Sequence, residues 1–189
     1  MTSFSPGIER ALRTALTAHE GQTRKGSATP YVSHPLHVAM LLARAGADEE
    51  TIQAGVLHDV VEDCDGWTLE RLEGEFGPRV SGIVAHLTED KDKTWPERKQ
   101  AAIDHIAEMS DEARLVKAAD KLHNMSSLLA DLRAADRLED VWGNFNSSPA
   151  ATLAMARGLA EALHAHLESP LVDALRETLA ALEGLESAS

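Results

Sequence analysis

The placement of its prolines constrains the fold of this chain more than any other sequence feature. Proline is tolerated in the first turn of an α-helix, because the amide hydrogen that it lacks would have no intrahelical partner there. Five prolines open segments with helical apolar periodicity: Pro6, Pro35, Pro78, Pro149 and Pro170. Aromatic residues make up only 4% of the chain, while alanine and leucine recur, a composition that favours packed helices over strands. We therefore predict an all-α fold.

Turn-forming residues divide the chain into about nine or ten predicted helices. No internal repeat and no long linker separates two domains, and 189 residues are enough to bury a hydrophobic core. The simplest interpretation is one helical bundle over residues 1–189, with the C-terminal helices from about residue 149 packing on the rest.

The charge balance limits the classes of partner. The chain has 18 lysine and arginine residues against 31 aspartate and glutamate residues, a formal net charge of −13. Such a surface repels nucleic-acid backbones, whereas a small phosphorylated ligand needs only a local group of basic residues. Cys64 is the single cysteine, which fits a reducing compartment. No signal peptide or membrane-spanning run is recognisable, so we expect a cytoplasmic protein. The sequence does not set its oligomeric state.

The segment EETIQAGVLHDVVED, predicted as one helix, carries a cluster of ionisable residues. At 100° per residue, four of them fall within one arc of about 140°. They are His58, Asp59, Glu62 and Asp63. Apolar residues occupy the opposite side, and Gly55 leaves room within the ionisable arc. The alternative interpretation is an amphipathic surface helix with a solvated acidic edge.

A second candidate stripe lies on the helix predicted over residues 111–134. Lys117, Asp120, Asn124 and Ser127 follow helical spacing along one face. An aspartate in an apolar helical stretch is costly to bury unless it is paired or bound to a metal. The alternative is a buried ion pair between Asp120 and Lys117 or Lys121.

His34, just before Pro35 at a helix start, can point across the bundle towards these groups; the alternative is a loop histidine without a partner. Two histidines and two aspartates make a mixed nitrogen and oxygen donor set that suits Zn, Fe, Ni or Mn. Such a site lowers the pKa of a bound water and polarises a phosphoryl oxygen. Glu62 and Asp63, one turn beyond the ligands, are placed to act as general base or acid, or to orient the water.

Three other residues receive structural interpretations. His37, three residues after His34, is expected to support the site or lie on the surface rather than bind the metal. For His123 we expect a packing role. Cys64 is expected to be a small filler with no nucleophilic role.

Separated runs of the sequence, in order, resemble a known family. They are HEGQTRKGSATPYVSHP, GVLHDVVEDCDG, TEDKDKTWPERK and LVKAADKLHNMSSL. The pattern resembles the HD hydrolase domain of the RelA/SpoT alarmone enzymes, especially the small stand-alone members of the metazoan SpoT type, over roughly residues 5–165. The resemblance implies a (p)ppGpp 3′-pyrophosphohydrolase in which water activated by the metal releases pyrophosphate and GDP or GTP.

The resemblance also implies roles for individual residues. The Mn²⁺ ligands would be His34, His58, Asp59 and Asp120. The residues handling the catalytic water would be Glu62 and Asp63. Arg24 and Lys25 would meet the nucleotide, with Arg24 stacking on guanine. Asn124 and Ser127 would contact ribose or phosphate. Independently of the resemblance, the place of Lys117 on the Asp120 helix leads us to expect that it faces the same ligand.

One departure from the family leaves two alternatives open. Many relatives carry aromatic residues near the substrate, where this chain has Leu153, Ala154, Met155 and Ala156. An HD-type phosphatase acting on NADPH or a nucleoside phosphate is therefore one alternative. The other is a non-catalytic nucleotide-binding module.

Overall fold

The structure is a computed structural model that describes residues 4–187, so the ends of the predicted domain, residues 1–3 and 188–189, lie outside it. Eleven α-helices occur in the described part: α1 (Pro6–Ala18), α2 (Ser33–Arg44), α3 (Glu49–Leu57), α4 (Val60–Asp63), α5 (Leu69–Phe76), α6 (Pro78–Leu87), α7 (Trp95–Asp104), α8 (Asp111–Ala134), α9 (Leu138–Trp142), α10 (Pro149–His166) and α11 (Pro170–Ser187). A 3₁₀ turn, His105–Glu108, joins α7 to α8. The prediction of an all-α fold is confirmed.

Most helices begin where the sequence predicts. The Ser5, Ser110 and Ser148 hydroxyls each accept a hydrogen bond from the amide three residues later, as N-cap side chains do. Four of the five prolines are the first residue of their helix. Helix α2 is the exception, because it begins at Ser33, two residues before Pro35.

The helix predicted across the HD motif is interrupted, and the prediction of one continuous helix is wrong there. Helix α3 ends at Leu57 and α4 begins at Val60. In a continuous helix the Gly55 carbonyl would accept a hydrogen bond from the Asp59 amide. It instead pairs with the ring Nδ1 of His58 at 2.8 Å. The motif therefore lies at a helix break, and the extra helix in the count arises from this split.

Helix α8 lies at the centre of the fold and brings the site residues together. Helices α2 and α3 pack on each other, and both contact α8. The approach of α2 to α3 depends on Gly55, because a Cβ there would lie 2.2 Å from the Leu42 Cδ1. The missing side chain thus serves helix packing, rather than leaving room for ionisable groups. His34 on α2, His58 after α3 and Asp120 on α8 consequently face one another.

The C-terminal helices cover the other side of α8. Helix α11 packs along α8, and α10 lies against α7, the 3₁₀ turn and α11. No helix in the described part is both long and apolar enough to cross a membrane.

Asp48, the N-cap of α3, makes stability depend on pH. Its carboxylate accepts hydrogen bonds from the Thr51 amide at 2.9 Å and from Arg79 at 2.6 Å. The Arg79 guanidinium is the main reason that the pKa of Asp48 is lowered from 3.8 to about 2. Because the folded-state pKa is the lower one, this stabilisation is complete above the unfolded-state pKa and is lost as the pH falls through about 2.

We expect Asp48→Ala to lower the free energy of unfolding by about 1 kcal/mol at neutral pH. The difference from the wild type should narrow once the pH falls below about 4, because protonation removes the same interaction. Urea denaturation at a series of pH values measures both quantities. A difference that stays constant down to the acid limit of folding would contradict this assignment.

Candidate active site

Four side chains from three segments of the chain converge at the centre of the bundle. The ring nitrogens Nε2 of His34 and His58 lie 3.3 Å apart. The Asp59 Oδ2 lies 3.5 Å from the His34 Nε2 and 3.1 Å from the His58 Nε2. The Asp120 Oδ1 lies 3.4 Å and 3.9 Å from the same two nitrogens. The fold therefore brings together the four residues that the sequence predicts as metal ligands.

Hydrogen bonds to the outer atoms fix the orientation of these side chains. The His58 Nδ1 donates its proton to the Gly55 carbonyl at 2.8 Å, so the lone pair of the neutral ring lies on Nε2, which faces inward. The His34 Nδ1 lies 2.8 Å from the Nδ1 of His123. Tyr31 donates its hydroxyl proton to the Asp59 Oδ2 at 2.5 Å.

Asp120 is held by two neighbours on α8. Asn124 donates to its Oδ1 at 2.5 Å, and the Lys121 ammonium lies 3.2 Å from its Oδ2. The ion pair that the sequence left open as an alternative is therefore present, with Lys121 as the partner. It occupies Oδ2, while Oδ1 faces the two histidines.

The carboxylates of the cluster favour a positive charge beside them. Burial acts to lower the pKa of His58, but Asp59 and Asp120 outweigh it and raise this pKa to about 9. Burial acts to raise the pKa of Asp59, and the adjacent His58 outweighs it and lowers this pKa. Burial lowers the pKa of His34. Burial also acts to raise the pKa of Asp120, and Lys121 with the two histidines outweighs it and holds this pKa well below its usual value. Both carboxylates are thus stabilised in the charged form, which is the form that binds metals.

The residues present fit a divalent metal ion. The donor atoms of His34, His58 and Asp120 all lie within 4.8 Å of one another, and all three residues are buried. The Asp59 carboxylate lies close to both histidines and adds a fourth donor group. Imidazole nitrogens and carboxylate oxygens in one buried cluster are ligands that transition metals share.

His123 has a closer relation to this cluster than the packing role predicted from sequence. Its pKa is lowered to about 4, first by burial and then by electrostatic repulsion from His34, Arg24 and His37, so its ring is neutral. A neutral His123 Nδ1 can accept the Nδ1 proton of His34, which directs the His34 Nε2 inward. His37 packs edge-on against His123, at 4.7 Å between ring centroids, and lies outside the cluster itself.

We expect His123→Phe to keep the fold and weaken metal binding by about 10- to 100-fold, the range found when a hydrogen-bond partner of a ligand is removed. His37→Phe, on the exposed side of the same stack, is the matched control and should change metal affinity little. Competition with a metallochromic chelator measures both dissociation constants. Equal affinities in wild type and His123→Phe would leave His123 with only a packing role.

Glu62 and Asp63 take different positions beside the cluster. Glu62 lines the small cavity of about 170 Å³ that also contains the four converging residues, and its Oε2 accepts the Glu89 amide at 3.2 Å. Burial raises the pKa of Glu62. Asp63 is more exposed, lines the wider cavity next to it and forms an ion pair with Lys91 at 2.9 Å. Of these two carboxylates, therefore, Glu62 lines the small cavity that contains the cluster, and Asp63 does not.

The nucleotide-binding candidates line that wider cavity, which has a volume of about 990 Å³. Arg24 donates to the Asn124 Oδ1 at 2.9 Å, so the loop is tied to the residue that also holds Asp120. Lys25 lies over the Phe145 ring, 5.9 Å from its centroid. Ser127 lines the cavity from α8.

Aliphatic side chains of α10 form the part of the cavity wall where we expected the loss of the family's aromatic residues to matter. Met155 and Ala156 line the cavity from α10, together with Leu159. Leu153, on the same helix, is buried and does not line the cavity. This part of the cavity wall is therefore aliphatic.

Residues of the cavity that the sequence did not single out come from α7 and the loop before it. Glu89 accepts two hydrogen bonds from the Lys99 ammonium, at 2.7 and 2.9 Å. The Arg98 Nε lies 3.8 Å from the Glu89 Oε2, and the Arg98 Nη1 lies 4.0 Å from the Glu62 Oε1. The charged run EDKDKTWPERK offers no periodic signal for these positions, because their facing partners lie on other helices.

Comparisons with known proteins agree with this arrangement. The sequence model of the HD domain family matches residues 11–148. The zebrafish guanosine-3′,5′-bis(diphosphate) 3′-pyrophosphohydrolase MESH1 is 44% identical over 117 residues, which are 60% of this chain and 64% of the relative. The enzyme of the same name from Xenopus tropicalis is 41% identical over 131 residues, 68% of this chain and 73% of that protein.

A solved structure gives the same result for the fold. It belongs to a metazoan orthologue of SpoT described as hydrolysing ppGpp, and it superposes with a TM-score of 0.80 at 33% identity, covering 94% of this chain and 96% of the other. The Listeria monocytogenes protein lmo0812 superposes with a TM-score of 0.71 at 32% identity, over 77% and 96% of the two chains. From the family match, these identities and the shared helical architecture, the chain belongs to the HD domain family.

Proposed function

We propose that this protein is a metal-dependent (p)ppGpp 3′-pyrophosphohydrolase, which releases pyrophosphate and GDP or GTP. The observation that carries the proposal is the convergence of His34, His58, Asp59 and Asp120 beside a cavity of nucleotide size. The names of the MESH1 relatives and the described activity of the SpoT orthologue support the same reaction.

The cofactor in this proposal is Mn²⁺, held by those four residues. The two carboxylates suit a hard divalent ion such as Mn²⁺, and the two imidazoles distinguish this ligand set from the all-oxygen sets typical of Ca²⁺ and Mg²⁺. When bound, a divalent ion lowers the pKa of water and polarises a phosphoryl oxygen. The net charge of −13 disfavours nucleic acid and is compatible with a free nucleotide bound among local basic residues.

The acid–base work is assigned to Glu62, with Asp63 beside it. Burial raises the pKa of Glu62 towards the range in which a carboxyl group both takes and gives a proton. Its carboxylate is held in place by the Glu89 amide, and Lys91 bonds to its backbone carbonyl. Glu62 can therefore accept a proton from the attacking water. Asp63, fixed by Lys91, orients the water or the substrate from the wider cavity.

The nucleotide itself is assigned to the wider cavity. Arg24 presents a planar guanidinium that can stack on guanine, and Lys25 supplies a compact positive charge for phosphate. Asn124 and Ser127 face them from α8 with groups that can bond to ribose or phosphate. Lys117 lines both cavities and stands between the nucleotide and the cluster.

The test is a substrate panel with the purified protein, in the presence of Mn²⁺ and after treatment with EDTA. We expect ppGpp to be converted to GDP with Mn²⁺, no turnover after EDTA, and recovery when Mn²⁺ is restored. NADPH and nucleoside monophosphates complete the panel. If ppGpp is untouched while NADPH or another nucleotide loses orthophosphate, the protein is an HD-type phosphatase of different specificity.

A further inference from the structure

A group of basic side chains borders the small cavity that contains the metal-ligand candidates. Arg98 and Lys99 come from α7, and Lys117 and Lys121 come from α8; we call these four residues the basic wall. They are four of the 18 lysine and arginine residues in a chain with a net charge of −13. All four also line the wider cavity. The basic wall therefore faces both the cluster and the space assigned to the nucleotide.

Lys117 is the most unusual member of the basic wall. Its side chain is buried, with only 4% of the residue exposed. Within residues 4–187, the Lys117 ammonium has neither a hydrogen bond nor an acidic partner within 4 Å, although the carboxylates of Asp120 and Glu89 act on it at longer range. The buried stem carries the ammonium to the cavity, where the ammonium stays partly accessible. A cation that has lost most of its water without gaining a direct partner is costly, so such residues are rarely retained for stability alone.

Arg98, on α7, also has a donor without a partner. Its Nε is buried and is the sole buried side-chain polar atom in the described part of the chain without a hydrogen-bond partner. Glu89 lies nearby at 3.8 Å, which is too far for a hydrogen bond. The other two members are satisfied, Lys99 by Glu89 and Lys121 by Asp120. Two unsatisfied cationic donors on different helices thus border one cavity.

We propose that the basic wall binds the diphosphate group that leaves in the reaction, with Lys117 and Arg98 as its direct donors. This inference rests on the proposed function. A diphosphate supplies several strong acceptor oxygens and negative charge, which are what these two donors lack. The cleaved diphosphate is the one concerned, because the basic wall lines the same small cavity as the cluster, while Arg24 and Lys25 line only the wider one.

The reaction balances with this placement. The oxygen of water bonds to the phosphorus attached to the 3′ oxygen, and the bond between that phosphorus and the 3′ oxygen breaks. A proton from water passes to the 3′ oxygen. Pyrophosphate then departs with both phosphorus atoms, and the basic wall stabilises the negative charge that it carries away.

The experiment is a binding titration with inorganic pyrophosphate and, separately, with GDP. Isothermal titration calorimetry uses the full-length protein at a fixed free Mn²⁺ concentration, and again after EDTA dialysis, since pyrophosphate also binds free metal. Lys117→Met keeps the length of the side chain and removes its charge. We expect it to weaken pyrophosphate binding by about tenfold or more in both conditions, the effect typical of losing a charge-assisted hydrogen bond, and to leave GDP affinity within about twofold.

Three further variants make the result specific. Lys93→Met removes an exposed lysine on the neighbouring loop, outside both cavities, and should not change pyrophosphate affinity. Arg98→Met should weaken pyrophosphate binding as Lys117→Met does, which keeps the test decisive if one variant folds poorly by circular dichroism. Arg24→Ala should show the opposite pattern, with weaker GDP binding and unchanged pyrophosphate binding.

The outcomes separate this inference from the proposed function. Unchanged pyrophosphate affinity in both Lys117→Met and Arg98→Met overturns the inference, even if ppGpp is hydrolysed. A loss of GDP affinity instead assigns the basic wall to the 5′-diphosphate and also overturns it. A selective loss of pyrophosphate affinity, together with hydrolysis of ppGpp in the substrate panel, supports the inference. If the panel refutes the alarmone assignment, the same loss still identifies the basic wall as a pyrophosphate-binding site, but overturns its role in binding the leaving group.

Discussion

Asp120→Ala and His58→Ala are each expected to abolish stoichiometric metal binding and to lower ppGpp turnover by roughly a thousandfold or more, because a catalytic metal lowers the activation barrier by several kcal/mol. Both residues are buried, and each places a donor atom among those of the others. Removing either leaves too few donors to hold the ion. The measurements are metal content by mass spectrometry and initial rates with added Mn²⁺.

Thermal unfolding supplies a second readout for the same variants. Added Mn²⁺ should raise the melting temperature of the wild type and not that of either variant, because only the folded state with all its ligands gains binding free energy. Asp136→Ala, at an exposed position beyond the end of α8, is the control and should behave as wild type. Stoichiometric metal in purified Asp120→Ala or His58→Ala would show that the ion is held elsewhere.

Glu62→Gln is expected to reduce turnover by about a hundredfold or more while the metal is retained, the range that general acid–base catalysis contributes. Glutamine keeps the shape of the side chain and its contact with the Glu89 amide, and removes the ability to take a proton. Asp63→Asn should also reduce turnover with the metal retained. We expect the smaller effect there, because Asp63 lines the wider cavity rather than the one holding the cluster.

The matched control for these two variants is Asp65→Asn, an exposed carboxylate two residues beyond Asp63. Metal content and unfolding curves separate catalysis from folding. Wild-type rates in both Glu62→Gln and Asp63→Asn, with the metal bound, would refute the assigned roles. A loss of metal in either variant would instead reassign that carboxylate to the metal site.

The helical fold and the four residues that converge at the centre of the bundle could be predicted because their signals are local. Helix starts follow from serine caps and prolines, whose effect is confined to one turn. His58 and Asp59 are adjacent in sequence, and an aspartate at position 120 stands out against apolar neighbours. His34 is marked by its position before Pro35. Each of these residues is thus visible without knowledge of its partners.

The supporting residues could not be predicted because their signals depend on contacts between distant segments. Tyr31 is 28 residues from Asp59, and His123 is 89 residues from His34. Neither residue has a helical spacing that reveals the pairing. Arg98 lies in a charged run whose composition is that of an exposed surface, and its buried Nε becomes evident only when α7 is packed against the cavity.

The break between α3 and α4 escaped prediction for a related reason. The segment has a continuous helical periodicity, and no glycine or proline interrupts it at His58 or Asp59. The interruption coincides with a side-chain hydrogen bond, from His58 to the Gly55 carbonyl, that replaces a backbone bond. Propensity rules describe backbone preferences and do not include such a competition.

The most direct measurement of the central claim is ³¹P nuclear magnetic resonance of the ppGpp reaction run with Mn²⁺ in ¹⁸O-labelled water. The proposed reaction gives GDP and intact pyrophosphate in equal amounts, with the label in pyrophosphate because water attacks phosphorus. Orthophosphate as the released product, or label in GDP instead of pyrophosphate, would contradict the assignment of this protein as a (p)ppGpp 3′-pyrophosphohydrolase.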